Sequence, residues 1–119
     1  MKKICAIRDV CRSIADYENK FQKVFSMCLN EGMILCCLKE SRLSSGEIAE
    51  QINLTCSNTS KLIRSVEEKG YIKRVLGDKD KRQMYFVLTK EGKKVLNDIE
   101  ERDLEISYPL SLIIDLQNK

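Results

Sequence analysis

Between Ser44 and Gly70, helix starts and stops follow one another so closely that only two short helices with a tight turn between them fit. Ser44 stands three residues ahead of Glu47, the spacing of a capping box. In that motif the hydroxyl accepts from the amide at the third helical position and the carboxylate reaches back to the capping residue's own amide. The helix it opens turns Ile48, Ala49 and Ile52 inward. Asn53, which tolerates the left-handed conformation of a helix end, closes it. Thr55 caps a second helix, predicted over 56–69, and Gly70 ends it. Thr59, Leu62, Ile63 and Val66 recur at helical spacing along one side of it. Ser57, Lys61 and Arg64 lie on the other side, flanked by Asn58, Ser60 and Ser65. With small Ala49 where the two helices approach, this is a helix-turn-helix pattern.

Two strands are predicted next, over 71–76 and 83–88, both alternating and rich in β-branched or aromatic residues. Gly77-Asp78-Lys79-Asp80-Lys81-Arg82 makes a polar, cationic hairpin tip between them. Thr89 caps a helix expected to run to about residue 105. Pro109 stands where a helix can begin, and Leu110, Leu112, Ile113, Ile114 and Leu116 make the final helix strongly apolar. Upstream, Ile7, Ile14, Phe21 and Cys28 recur every seven residues, with Val10, Tyr17 and Val24 three further on. That is a seam along one long helix, widened by Ile4, Cys11 and Phe25. Asn30 caps another helix, expected to end near residue 40. The seam serves either an internal core or a dimer, and a small domain has little core to cover it. The expected fold is mainly α with a small β-hairpin, one domain over 1–119. A winged helix-turn-helix lobe at 29–90 would lie between helical dimerisation segments at 4–28 and 91–119.

Composition narrows the function. Lys plus Arg number 21 against 18 Asp plus Glu, a net charge of only +3. The charge is unevenly placed: 61–82 holds eight cations and four anions, whereas 98–115 holds six anions and one cation. A nearly neutral chain therefore carries a basic half, which phosphates would attract, and an acidic one. His and Trp are absent, which removes histidine-based nucleophile systems and the commonest transition-metal ligand. No constellation supports an enzyme, and no cofactor is called for. No cysteine pair has Cys-x-x-Cys spacing, so no metal site is expected. The N-terminus lacks an export signal, and the longest apolar run, 33–38, is far short of the roughly 20 residues of a membrane span. A cytoplasmic protein with free thiols is expected, with no membrane partner.

Asp80-x-Arg82, followed five residues on by Leu88-Thr89-x-x-Gly92, resembles the wing signature of the MarR family of bacterial regulators. The capping box, the cap at Thr55 and Glu67-Glu68-Lys69-Gly70-Tyr71-Ile72 are similar to that family in order and spacing, so the likeness covers about 29–105. It implies a homodimeric regulator of transcription that binds double-stranded DNA, usually a repressor. The second helix of the helix-turn-helix would enter the major groove and the wing the minor groove. Release by a small-molecule inducer, anionic or phenolic, or by thiol oxidation, is also implied.

Candidate DNA-binding residues follow. Arg82 suits a narrow minor groove, with Asp80 to position it and Lys79 and Lys81 beside it. Lys61 and Arg64 read base edges or touch phosphates. Ser57, Asn58 and Ser60 lie near a helix N-terminus that suits phosphates, and Asn58 also fits adenine. The alternatives are a winged helix used for protein contacts and a thiol-based redox sensor of the same fold. Cys28, Cys36 and Cys37 read as small core residues. Cys5 and Cys11 are candidate oxidant-sensing thiols, with packing the preferred role. Cys56 opens the second helix of the pair, at the positive end of its dipole, where an adduct would block docking by bulk.

Overall fold

The computed structural model describes residues 2–79 and 82–118. It contains α1 (Lys3–Phe25), α2 (Leu29–Cys37), α3 (Ser45–Ile52), α4 (Cys56–Glu68), β1 (Ile72–Leu76), β2 (Met84–Leu88), α5 (Lys90–Glu101) and α6 (Leu110–Gln117). The fold is mainly α with one small antiparallel hairpin. Two compact units form: residues 29–102, and residues 1–28 together with 103–119.

The 29–102 unit is a winged helix, and the local signals between Ser44 and Thr89 fold as the sequence predicts, whereas Asn30, expected as a cap, lies inside α2, which already begins at Leu29. Ser44 and Glu47 exchange both bonds of the capping box. Asn53 adopts φ 57°, and Thr55 accepts from the Asn58 amide at 3.1 Å. Strands β1 and β2 pair from Ile72↔Leu88 to Leu76↔Met84, and the Gly77 amide closes the ladder on the Gln83 carbonyl at 2.8 Å. The core joins Ile34 and Leu35 of α2, Ile48 of α3, Ile63 and Val66 of α4, Phe86 of β2 and Leu96 of α5, all buried. Each such side chain contributes about 1.5–3 kcal/mol through removal from water. The Thr59 hydroxyl is buried with them, with no hydrogen-bond partner among the described residues.

Three further features depart from the sequence expectations. Leu43 pairs with Phe86 through two backbone hydrogen bonds, adding a one-residue third strand beside β2. Helix α2 stops at Cys37 because its last turn tightens, the Leu38 amide being shared between the Ile34 and Leu35 carbonyls. Helix α5 stops at Glu101, short of residue 105. Glu100, Glu101, Asp103 and Glu105 crowd that end, the wrong sign for the negative pole of a helix. Helix α5 packs on α2 and β2 within the 29–102 unit.

The start of α5 is locked to the start of β1. The Thr89 hydroxyl donates to the Gly70 carbonyl at 2.6 Å and accepts from the Gly92 amide at 3.0 Å. The Thr89 amide donates to the Tyr71 carbonyl at 3.0 Å. Gly70 sits at φ +83°, left-handed backbone that suits glycine. At Gly92 the demand is space: a Cβ would lie 1.9 Å from the Tyr71 carbonyl oxygen.

In the terminal unit α1 packs on α6. Phe21 is buried, its ring centroid 4.8 Å from that of Phe25 and 6.2 Å from that of Tyr17. Lys20 ties α1 to the preceding loop of α6 by donating to the Glu105 carbonyl at 3.0 Å. Val10, Ile14 and Tyr17 of the seam are half-buried, but much apolar surface of this unit is open: Ile4 is 78% exposed, Tyr108 77% and Leu116 63%, with Ile7, Val24, Leu112 and Ile113 also on the surface.

Gly92→Ala should therefore destabilise the 29–102 unit by about 3 kcal/mol, the upper range for overpacking against atoms that cannot move aside. Chemical denaturation checks this. A loss no larger than that of an exposed helix substitution would show that the junction is not tight.

Candidate nucleic-acid interface

Helix α4 has two unlike sides because its sequence does. Thr59, Ile63 and Val66 are buried, while Ser57, Asn58, Ser60, Lys61 and Arg64 are all exposed. The structure thus gathers the five predicted residues of this helix on one open surface. Its flank is tied to α2 by a carboxylate. Glu31 of α2, only 5% exposed, accepts from the Ser65 hydroxyl at 2.9 Å and from the Lys69 ammonium at 2.7 Å.

The hairpin flanks this surface. Arg74 of β1 donates twice to Glu67 of α4, at 2.9 and 3.1 Å, and lies 5.7 Å from the centre of the Phe86 ring. The hydrogen bonds and charge of Glu67 hold the Arg74 guanidinium above its ordinary pKa. Ser45, Ser60, Arg64, Arg74, Met84 and Phe86 line an open groove between the first residue of α3, α4 and the hairpin. Lys79 and Arg82 are exposed on the wing. Asp80 and Lys81, the predicted positioning acid and a predicted contact, lie outside the described residues. At the base of the wing, Arg42 pairs with Asp78 at 3.3 Å and stacks 4.6 Å from the centre of the Tyr85 ring.

The charge map is thereby refined. Lys69 and Arg74 are engaged by Glu31 and Glu67. Lys61, Arg64, Lys73 and Lys79 have no ion-pair partner among the described residues. Sequence reasoning missed Glu31 and Arg42 because their partners lie 34 to 38 residues away along the chain, and Arg74 because its partner Glu67, seven residues back, stands on a different element.

The MarR-family profile matches residues 28–84, which run from the residue before α2 to the first residue of β2. Over those residues the chain is similar to the MarR family. It is 29% identical over 105 residues to the HTH-type transcriptional regulator YwoH of Bacillus subtilis, covering 87% of this chain and 76% of that one. It is 36% identical over 94 residues to the phenylalanine–tRNA ligase alpha subunit of Sulfolobus acidocaldarius. That match spans 76% of this chain but only 19% of the ligase subunit. Among solved structures, the MepR–DNA complex of S. aureus superposes with a TM-score of 0.73 at 21% identity, covering 84% of this chain and 75% of that one. The shared fold is the winged helix.

The cysteines sit differently from the sequence expectation. None of the six forms a disulfide among the described residues. Cys36, expected in the core, is exposed, because α2 turns Glu31, Ile34 and Leu35 inward and Cys36 falls between those rows. Cys28 and Cys37 are half-buried, and burial, then the neighbouring Cys36 thiol, push the Cys37 thiol pKa up. Cys5 is half-buried, and Cys11 and Cys56 are exposed. Among the described residues no helix is long and apolar enough to cross a membrane.

Proposed function

We propose that this chain binds double-stranded DNA as a homodimer in the cytoplasm and represses transcription. Helix α4 enters the major groove, where base edges are distinguishable, and the wing reaches the minor groove, where width and A·T content are legible. Residues 29–90 read the DNA, and 4–28 with 91–119 join the two copies. A small-molecule inducer lifts the repression.

The observation that carries this reading is the open face of α4. A helix held at its flank by a buried carboxylate presents hydroxyls, an amide and two cations to solvent, beside a hairpin with further cations. Ser57 and Asn58 in the first turn suit a phosphate at the positive end of the dipole, and Lys61 and Arg64 lie further along for base edges. MepR, a protein of the same fold, is known in a complex with DNA, which supports DNA as the partner. Dimerisation rests on the uncovered seam. Tyr108, Leu112, Ile113 and Leu116 beside Ile4, Ile7 and Val24 are too many exposed apolar side chains for an isolated lobe.

Affinity for an operator fragment and for unrelated duplex, measured across a salt series, separates the roles. Arg82→Ala weakens binding to both and lowers the slope of log affinity against log salt by about one unit per chain. Arg64→Ala or Lys61→Ala narrows the gap between the two duplexes, by about 1–3 kcal/mol for a lost bidentate contact. An Arg82→Ala chain that binds both as before contradicts the wing's role. For the dimer, sedimentation at micromolar concentration should give twice the chain mass and Ile113→Asp a shift towards monomer. A monomeric unaltered chain would contradict it.

A further inference from the structure

The base of the wing is braced from a direction the helix-turn-helix pattern does not suggest. Leu43 is pinned to β2 by the paired hydrogen bonds with Phe86, so the residue before it, Arg42, leaves from a fixed backbone. Its guanidinium lies over the Tyr85 ring, 4.6 Å from the centre, and Tyr85 faces Val75 across the hairpin. Its end meets the Asp78 carboxylate at 3.3 Å. Asp78 follows Gly77, whose amide makes the last hydrogen bond of the ladder before the tip. One side chain thus grips β2 through a ring and the turn through an acid.

We infer that Arg42, Tyr85 and Asp78 form a brace that sets the angle at which the wing leaves the sheet, making Arg42 a positioning residue for Arg82. The inference rests on the DNA-binding reading given above. The Arg42 and Asp78 side chains are 38% and 85% exposed, so the pair adds little to global stability. What it changes is local order: without it, the turn after Leu76 is held only by the ladder. The planar guanidinium is essential, because it stacks on the ring while donating in its own plane, which a lysine ammonium cannot do. The rival role, Arg42 as a direct phosphate contact, needs only its charge.

Two readouts on the full chain decide between them. The first is exchange of the Gly77 amide in the free protein. Arg42→Lys, Arg42→Gln and Asp78→Ala should each speed it by roughly two- to fivefold, the range expected for an exposed pair. The second is DNA affinity of Arg42→Lys, alone and combined with Arg82→Ala. The brace predicts a several-fold loss for Arg42→Lys alone and no further loss when Arg82 is already gone. Wild-type affinity for Arg42→Lys, an additive loss in the double variant, or unchanged Gly77 exchange in all three variants would overturn it. Faster Gly77 exchange together with an Arg82→Ala chain that binds DNA normally would instead overturn the wing's role in DNA binding, and the brace's part in it.

Discussion

Glu31 must find its hydrogen bonds inside the protein, because its carboxylate is nearly out of reach of water. A buried charge of this kind costs several kcal/mol unless paired and hydrogen-bonded. Ser65 of α4 and Lys69, the residue at the C-terminal cap of that helix, meet that need. The distance between α2 and α4 is therefore fixed by chemistry as well as by the apolar contacts of Ile34, Leu35, Ile63 and Val66. A recognition surface has to be held still to discriminate, and a helix packed on apolar side chains alone could slide by a fraction of a turn. Directed bonds from a buried acid oppose that slide. Lys69 was counted in the sequence as one more positive charge of a basic face. In the fold its ammonium is engaged by Glu31 and holds the helix that carries the others.

The hairpin depends on a second anchored point. Thr89 bonds simultaneously to Gly70 and Gly92, and Gly92 leaves no room for a side chain above Tyr71. The end of α4, the start of β1, the end of β2 and the start of α5 thus converge within a few bonds. This gives a physical reason for the Leu88-Thr89-x-x-Gly92 portion of the MarR signature. It is the joint that keeps the wing registered to the recognition helix, and none of its side chains needs to touch DNA.

Much of this was legible because it is local. Ser44, Glu47, Asn53, Thr55 and Thr89 satisfy backbone groups within a few residues of themselves, so their spacing alone placed the ends of three helices. The inward rows of α3 and α4 and the strand alternation followed from burial of one face. What escaped notice is long-range. The pairs Glu31–Lys69, Arg42–Asp78 and Leu43–Phe86 join residues that only the folded chain brings together. Cys36 was misplaced for a related reason: a run as apolar as 33–38 hides which of its members turn outward. The end of α5 was overrun because its apolar spacing continues through Leu104, while the accumulating acids oppose the helix dipole.

The central claim is that the outward face of α4 and the wing together form the surface that meets DNA. Amide hydrogen exchange of the unaltered chain, with and without an unrelated duplex at low salt, tests it without knowledge of the operator. Added duplex should slow exchange in the first turns of α4 and in the hairpin around Gly77 and Met84, and added salt should restore it, since phosphate contacts release counterions. Exchange unchanged in both segments while the duplex is demonstrably bound, or slowed only in α1 and α6, would contradict the account.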